Sequence, residues 1–232
     1  MLLFATPPSA RYIWYNLSVI VINFKTYREA TGFRAVKLAQ MCRRVQEETK
    51  VRIVAAVQVA DLRNCVETGA ECWVQHVDTV EQGKKTGGIT GEDGEEAGSR
   101  GTLLNHSEHR LEFDLVKSIA DQTRGMAFEL CLCAADENEA AQLDKLEPNY
   151  IAYEPPELIG SREKSVASEK PEIIQKVVLS TKCKVLIGAG VHSPEDVKVG
   201  LKLGAKGELL ATDVVLAEDP EYELRQLAEA FK

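Results

Sequence analysis

The sequence predicts an α/β protein of the (β/α)8 barrel class, and three observations lead to this prediction. Short apolar runs alternate with longer helical patterns eight times between residue 18 and the end of the 232-residue chain. Several of these runs are apolar throughout, which is typical of parallel strands covered on both faces. No G-x-G-x-x-G follows the first run, so an open dinucleotide-binding sheet is disfavoured. Eight alternations within about 210 residues favour a closed barrel.

The predicted elements follow one another in strict strand–helix order. The strands are predicted at Val19–Asn23, Arg52–Val57, Cys72–His76, Thr102–Asn105, Met126–Cys133, Tyr150–Glu154, Lys184–Gly188 and Glu208–Ala211. The helices are predicted at Gly32–Glu48, Ala60–Thr68, His109–Thr123, Glu137–Lys145, Pro171–Leu179, Ser193–Leu203 and Pro220–Phe231. The third unit has room only for a short acidic helix, because residues 82–101 include seven glycines. A serine cap and a proline, Ser193-Pro194, mark one helix start clearly.

Composition limits the classes of partner and the number of domains. The net charge of −8 disfavours binding of nucleic acid or of an anionic membrane surface. The apolar runs are far shorter than the roughly 20 residues of a membrane span. Residues 1–17 lack the basic start and cleavage site of a secretory signal, so we expect a disordered or non-native arm there. Residues 18–232 are then expected to form a single barrel domain.

Six cysteines at irregular spacing predict reduced, mostly buried thiols and a cytoplasmic protein. Cys131 and Cys133 alternate along one predicted strand, so both thiols would point to one face. A redox pair is the alternative interpretation, but free cysteine is commonly a small buried apolar side chain. The core interpretation is therefore favoured.

Polar side chains stand where several strands end, and in a (β/α)8 barrel the chemistry lies at those ends. Asn23 and Lys25 follow the first strand, His106 the fourth and Glu154 the sixth. Together they supply a cation, a polarising donor and a base, as needed to move a proton from a carbon beside a carbonyl. Taken singly, Lys25 could be a surface charge, His106 a helix cap and Glu154 a solvated loop acid.

Glycines follow the seventh strand at Gly188 and Gly190, where the backbone can approach an anion closely. The helix predicted from Ser193 adds the positive end of its dipole. In an acidic protein, backbone N–H groups are a suitable way to hold a phosphate. The sequence therefore predicts a phosphate site beside the polar strand ends.

Six segments in this order and spacing resemble the triosephosphate isomerase family, in its short archaeal form. They are INFKTYREATG, QHVD, TLLNHSEHR, IAYEPPELIG, IGAG and GELLATDVV, and the resemblance covers about residues 18–230. It implies the fold known as the TIM barrel. The implied activity is the interconversion of dihydroxyacetone phosphate and D-glyceraldehyde 3-phosphate through an enediolate, with no cofactor and no metal.

The resemblance also implies a role for each site residue. Glu154 would shuttle the proton, His106 would polarise the carbonyl, and Asn23 and Lys25 would stabilise the oxyanion and the phosphate. Triosephosphate isomerase is itself the standard example of a neutral histidine electrophile at a helix N-terminus. Glu108 would support Lys25. Backbone groups of the sixth, seventh and eighth loops would bind phosphate, at Gly160, Gly188, Gly190, Ala211 and Thr212. Thr86 would reach a neighbouring subunit, which implies a homodimer or homotetramer.

The chain departs from the family pattern at several positions. In the lid loop predicted over residues 155–167, Arg162 replaces a glycine and Ala167 stands where a serine is expected. Glu208 would place a carboxylate in the barrel wall, and Asp213 would repel phosphate. A catalytically impaired barrel serving as a scaffold or variant is therefore the alternative function. Other phosphate-binding barrel isomerases, such as those of tryptophan or histidine biosynthesis, are disfavoured because their acid pair is missing.

Overall fold

The structure is a computed structural model that describes residues 18–158 and 171–232. Within them lie the strands β1 Val19–Asn23, β2 Arg52–Val57, β3 Glu71–Val74, β4 Gly101–Leu104, β5 Glu129–Ala134, β6 Tyr150–Tyr153, β7 Lys184–Ile187 and β8 Gly207–Leu210. Neighbouring strands pair in parallel in chain order, and β8 pairs with β1, so the sheet is closed. The predicted (β/α)8 barrel is confirmed. The predicted arm over residues 1–17 lies outside the described residues.

Helices follow the strands and cover the outside of the barrel. The α-helices are Phe33–Thr49, Leu62–Val66, Gly91–Glu96, Phe113–Gln122, Glu137–Leu143, Pro171–Ser180, Pro194–Lys202, Thr212–Val215 and Pro220–Glu229, and short 3-10 helices span Arg28–Ala30, Asp144–Leu146 and Pro156–Leu158. The Ser193 side chain accepts a hydrogen bond from the Asp196 N–H, as the predicted cap requires. The predicted short acidic helix is present, and Thr90 and Asp93 form a capping box at its start.

Alternation along the strands produces two apolar layers. Side chains such as Val21, Trp73 and Leu209 fill the barrel interior, whereas Ile20 and Leu210 pack outward against the helices. Cys131 and Cys133 both belong to the interior layer and are fully buried. Burial, and next the charge of Glu154, raises the pKa of both thiols well above the usual range. The core interpretation of these cysteines is confirmed, since a thiol held in its protonated form is a poor nucleophile.

The fourth helix begins at Phe113, and the prediction that it starts at His109, directly after Ser107 and Glu108, is wrong. The polar side chain of Asn105 accounts for the difference. Its Oδ1 accepts a hydrogen bond from the Leu111 N–H at 2.9 Å, and this bond holds the intervening residues in a turn. Amide side chains that bond nearby backbone in this way compete with helix formation.

Glu208 is the conspicuous exception to the apolar barrel wall. It lies on the outer face of β8, opposite to the interior residue Leu209, and close to the helix glycine Gly200. The side chain is fully buried, and neither carboxyl oxygen has a hydrogen-bond partner among the described residues. Burial, with a further contribution from the charge of Asp196, raises the pKa of Glu208 well above its usual range. The raised pKa favours the neutral carboxylic acid, and it agrees with the expectation that a carboxyl group in the barrel wall would either cost stability or shift its pKa.

We expect the substitution Glu208→Leu to raise the free energy of unfolding by about 1–3 kcal/mol, because it removes a buried polar group without a partner. We expect Glu208→Gln to change how the free energy of unfolding depends on pH. The raised pKa means that the native state keeps a proton that the unfolded chain releases. Stability is thus highest below the ordinary glutamate pKa and declines as pH rises toward the native value. Urea unfolding between pH 4 and pH 8 measures both effects.

Glu208→Gln removes this titration. The free energy of unfolding of the variant should therefore increase relative to that of the parent protein as pH rises. The matched control is Glu147→Gln, because the side chain of Glu147 is 78% exposed. Parallel stability curves for the parent protein and Glu208→Gln would show that Glu208 is already ionised in the folded chain.

Candidate active site

One pocket opens at the carboxyl ends of the strands, as the barrel class requires. Its lining includes Asn23, Lys25, His106 and Glu154, which arrive from β1, β4 and β6. The glycines and the eighth-loop residues predicted for phosphate also line it, namely Gly188, Gly190, Ala211 and Thr212. Side chains far apart in the sequence are thus brought together in one site. Gly160 and most of the predicted lid, including Arg162 and Ala167, lie outside the described residues.

Glu154 is buried at the bottom of this pocket and is only 4% exposed. Its Oε1 lies 3.1 Å from Nε2 of His106, and its Oε2 accepts a hydrogen bond from the Ser107 N–H at 3.2 Å. The interpretation of Glu154 as a solvated loop acid is therefore wrong. A carboxylate held between an imidazole and a backbone amide is in place for proton transfer.

The ring of His106 is fixed in one tautomer by its own turn. Nδ1 accepts a hydrogen bond from the Glu108 N–H at 3.2 Å, so the ring proton lies on Nε2. Nε2–H then points toward Glu154 and into the pocket. The backbone donor belongs to a turn rather than to the predicted helix start. A neutral imidazole with an inward N–H can donate to a carbonyl oxygen.

Lys25 brings the positive charge of the site. Its Nζ lies 2.7 Å from Oε1 of Glu108, a side chain that is 56% exposed, so the predicted support by Glu108 has the expected geometry. The backbone of Lys25 has a φ of +47°, in the left-handed region. Its N–H donates to Oδ1 of Asn23 at 3.0 Å, and Nε2 of Gln75 donates to its carbonyl at 3.1 Å. Two neighbouring side chains therefore stabilise the unusual backbone that aims Lys25 inward.

Gly188 is required by the packing of the base. A Cβ at this position would lie 2.6 Å from Cγ of Glu154 and 3.1 Å from the carbonyl oxygen of Tyr153. Real Cβ atoms do not approach other atoms that closely, so a side chain here would displace Glu154. The sequence indicated close backbone approach at this glycine, and the group that approaches is the carboxylate itself.

The side of the pocket predicted for phosphate is formed by the seventh and eighth loops. Gly190 has a φ of +66°, which favours glycine. The hydroxyl groups of Tyr27 and Thr212 are 3.0 Å apart, and this contact ties the first loop to the eighth. Thr86 is exposed and does not line the pocket in this chain.

A histidine that sequence analysis missed stands beside Thr212. His192 follows β7 and Asp213 follows β8, and Nδ1 of His192 lies 3.0 Å from Oδ1 of Asp213. Both residues line the same pocket. The carboxylate that was expected to repel phosphate is therefore engaged by an imidazole. Only the contact between two loops reveals this pair, and no local pattern in the sequence indicates it.

No helix in residues 18–158 and 171–232 has both the length and the apolar character needed to cross a membrane. The same two ranges include no group of three or more metal-ligating side chains arranged to hold a metal ion.

A closed parallel barrel with these polar side chains at its carboxyl end defines the chain as a (β/α)8 barrel enzyme. The sequence model of the triosephosphate isomerase family matches residues 18–230. The chain belongs to the triosephosphate isomerase family.

Relatives with this name come from several archaea. The triosephosphate isomerase of Methanocaldococcus jannaschii is 39% identical over 215 residues, which cover 90% of this chain and 98% of the relative. The enzyme of Cenarchaeum symbiosum is 39% identical over 217 residues, and these cover 92% of this chain and 97% of the relative. The enzyme of Methanopyrus kandleri is 39% identical over 221 residues, with coverage of 92% and 97%. The resemblance to the archaeal form of the family is confirmed.

Proposed function

We propose that this protein interconverts dihydroxyacetone phosphate and D-glyceraldehyde 3-phosphate by proton transfer through an enediolate. The observation that carries the proposal is the pocket that Glu154, His106 and Lys25 share with the glycines of the seventh loop. Membership of the triosephosphate isomerase family supports the same substrate. A base, a neutral donor and a cation within one pocket are the groups that this reaction needs.

In the proposed mechanism, Glu154 removes a proton from the carbon beside the carbonyl and returns it to the neighbouring carbon. Its carboxylate first exchanges its contacts with Ser107 and His106 for the substrate. The Nε2–H of His106 then donates to the substrate oxygens, on which negative charge develops. Because Nδ1 is already occupied by the Glu108 N–H, the ring can give and regain the Nε2 proton without turning.

Lys25 and Asn23 stabilise the developing oxyanion in this proposal, and Lys25 also attracts the dianionic phosphate. Backbone groups at Gly190, Ala211 and Thr212 receive the phosphate, with Gly160 from the sixth loop. A fixed cation and fixed backbone donors need no reorganisation when charge develops. Fixing both ends of a small substrate also keeps the reacting carbon near Glu154.

A coupled assay that starts from D-glyceraldehyde 3-phosphate tests the activity directly. In D₂O the product should also gain solvent deuterium at the carbon that Glu154 reprotonates, since the enediolate exchanges its proton through the base. The matched variants are Glu154→Gln, which should abolish both signals, and Glu147→Gln, which should retain them. A purified, folded chain without turnover or exchange would favour the catalytically impaired barrel.

The proposal extends to surroundings and assembly. The free thiols of the described cysteines, five of them buried, support a reducing, cytoplasmic location. We propose a homodimer or homotetramer in which the exposed Thr86 contacts a second copy. Light scattering on the full chain measures the number of copies, and a monomer at micromolar concentration would contradict the proposed assembly.

A further inference from the structure

We propose that His192 is a side-chain ligand for the phosphate group of the substrate, with Asp213 as its counter-ion. The inference rests on the proposed function, because it assigns the ligand as a phosphate ester. It adds a second cationic side chain, besides Lys25, to a subsite in which backbone groups hold the phosphate. His192 touches the substrate in this proposal and is a binding residue rather than a member of the proton-transfer machinery.

The placement of His192 is the first observation. It directly follows the seventh-loop segment Gly188–Val191 and lines the same pocket as Gly190 and Thr212. Its side chain is 20% exposed and that of Asp213 is 32% exposed, so solvent screens the pair only in part. The backbone N–H of His192 donates to Oδ2 of Asp196 at 3.1 Å. This contact fixes the main chain of a residue that lines the pocket.

The second observation is an unused ring nitrogen. Since Nδ1 contacts a carboxylate oxygen, Nδ1 carries a proton. Nε2 is buried and has no hydrogen-bond partner among the described residues. A buried polar atom without a partner destabilises the protein, so this nitrogen calls for a ligand. When the ring is protonated, Nε2–H is a donor, and the acceptor it needs at this position is an anion.

Charged groups from several elements lie around the His192 ring and its partner Asp213. Asp213 contacts Nδ1, and Asp196, at the start of the helix Pro194–Lys202, accepts from the backbone N–H of His192. Glu223, from the last helix, faces Asp213, and burial followed by the charge of Asp213 raises the pKa of Glu223. Lys25 is the cation that shares the pocket. The acidic neighbours of the ring outnumber this cation, and a bound dianion would accept a charge-assisted hydrogen bond on the side of the ring away from Asp213.

The pair also explains why Asp213 is tolerated beside a phosphate site. Alone, its carboxylate would oppose a dianion across a short distance. A carboxylate and an imidazolium together carry no net charge. In this pair the ring offers its remaining N–H to the ligand. The two residues therefore act as one unit, and removing His192 should harm binding more than removing the whole pair.

Calorimetric titration of the purified full chain with 2-phosphoglycolate tests the proposal without turnover. His192→Asn keeps an amide N–H for Asp213 but removes Nε2, so we expect binding about tenfold weaker, as for loss of one charge-assisted hydrogen bond. His192→Gln places a neutral donor near the Nε2 position and should recover part of the affinity. The double variant His192→Asn, Asp213→Asn should bind more tightly than His192→Asn alone, because the repulsion is gone.

The pH dependence of binding is measured with inorganic sulfate, because sulfate stays a dianion from pH 6 to pH 9. An imidazole loses its charge within this range in general. Sulfate binding by the parent protein should therefore weaken as pH rises, and the slope should be smaller in both single variants. The single variants differ from the parent protein only at residue 192, so the difference between slopes belongs to His192.

The control is Lys202→Gln, which removes one exposed positive charge from the opposite end of the helix Pro194–Lys202. Its affinity for 2-phosphoglycolate should match the parent protein. Equal affinities and equal pH slopes for the parent protein and His192→Asn would overturn the inference, as would absence of 2-phosphoglycolate binding by the parent protein. If the parent protein turns over glyceraldehyde 3-phosphate and His192→Asn binds 2-phosphoglycolate as tightly as the parent protein, only this inference is wrong. If 2-phosphoglycolate binding depends on His192 but glyceraldehyde 3-phosphate is not turned over, only the proposed function is wrong.

Discussion

The substitution Glu154→Asp is expected to lower kcat by about 10²- to 10³-fold with a much smaller change in KM. Shortening the side chain by one methylene withdraws the base from the reacting carbon. The loss therefore falls on the transition state, while the phosphate contacts that hold the substrate remain. Steady-state kinetics in both directions of the reaction measure the effect.

Glu147→Asp provides the matched control, because it makes the same change at a glutamate whose side chain is 78% exposed. Its kinetics should equal those of the parent protein. A similar loss in kcat and KM for Glu154→Asp, or no loss at all, would mean that Glu154 is not the base. Circular dichroism of each variant excludes unfolding as the cause.

The strands were the most predictable part of the fold. β1 and β2 have the predicted bounds, because each includes an uninterrupted apolar run, at residues 19–22 and 53–57, that is followed directly by a polar residue. β5 begins at Glu129, three residues later than predicted. Phe128, just before it, is only 7% exposed. A buried apolar residue of this kind can belong to a strand or to a buried segment that leads into one. Periodicity alone does not separate these cases.

The helix after β4 shows why local patterns can fail near a functional site. Residues 109–112 have ordinary helix-forming character, but they stay outside the helix that begins at Phe113. The Asn105 side chain bonds the Leu111 N–H and also donates to Oε1 of Glu139 at 2.9 Å. Glu139 forms an ion pair with Arg110 as well. These tertiary contacts override the helix propensity of residues 109–112 and keep the segment after His106 in a turn.

The site was predictable where residues follow strand ends and unpredictable where two loops meet. Asn23, Lys25, His106 and Glu154 each follow a strand, so the topology alone placed them in one pocket. His192 has no local signal of this kind, because its partner Asp213 comes 21 residues later in another loop. The sequence indicated a repulsive charge at Asp213, and only the three-dimensional contact supplies its neutralisation.

A partly buried ion cluster lies at the opposite end of the barrel. Arg52, Glu71, Glu129 and Tyr150 are the first residues of β2, β3, β5 and β6. The guanidinium of Arg52 forms two hydrogen bonds with each carboxylate, and its Nη1 donates to the Tyr150 hydroxyl at 2.8 Å. The side chain of Arg52 is 14% exposed. Burial opposes its charge, but the hydrogen bonds that it donates to both carboxylates raise the pKa of Arg52 above its usual range.

We expect Arg52→Met to lower the free energy of unfolding by about 3 kcal/mol, the low end for a buried ion pair, because it leaves two partly buried carboxylates without a counter-ion. Methionine keeps an unbranched apolar stem in place of the arginine stem, so most of the loss reflects the missing guanidinium charge and its hydrogen bonds. The cluster lies at the amino end of the strands, far from the pocket at the carboxyl end. The kcat of the folded fraction should therefore be unchanged. Urea unfolding followed by circular dichroism gives the stability.

Arg124→Met is the matched control for this prediction. Arg124 also contacts two carboxylates, those of Asp121 and Glu147, but its side chain is 55% exposed. Exposed ion pairs contribute little to stability, so its loss should be far smaller than that of Arg52→Met. Adding Glu71→Gln and Glu129→Gln to Arg52→Met should recover much of the stability, since no uncompensated charge then remains buried. Equal, small losses for Arg52→Met and Arg124→Met would show that water already solvates the amino end of the barrel.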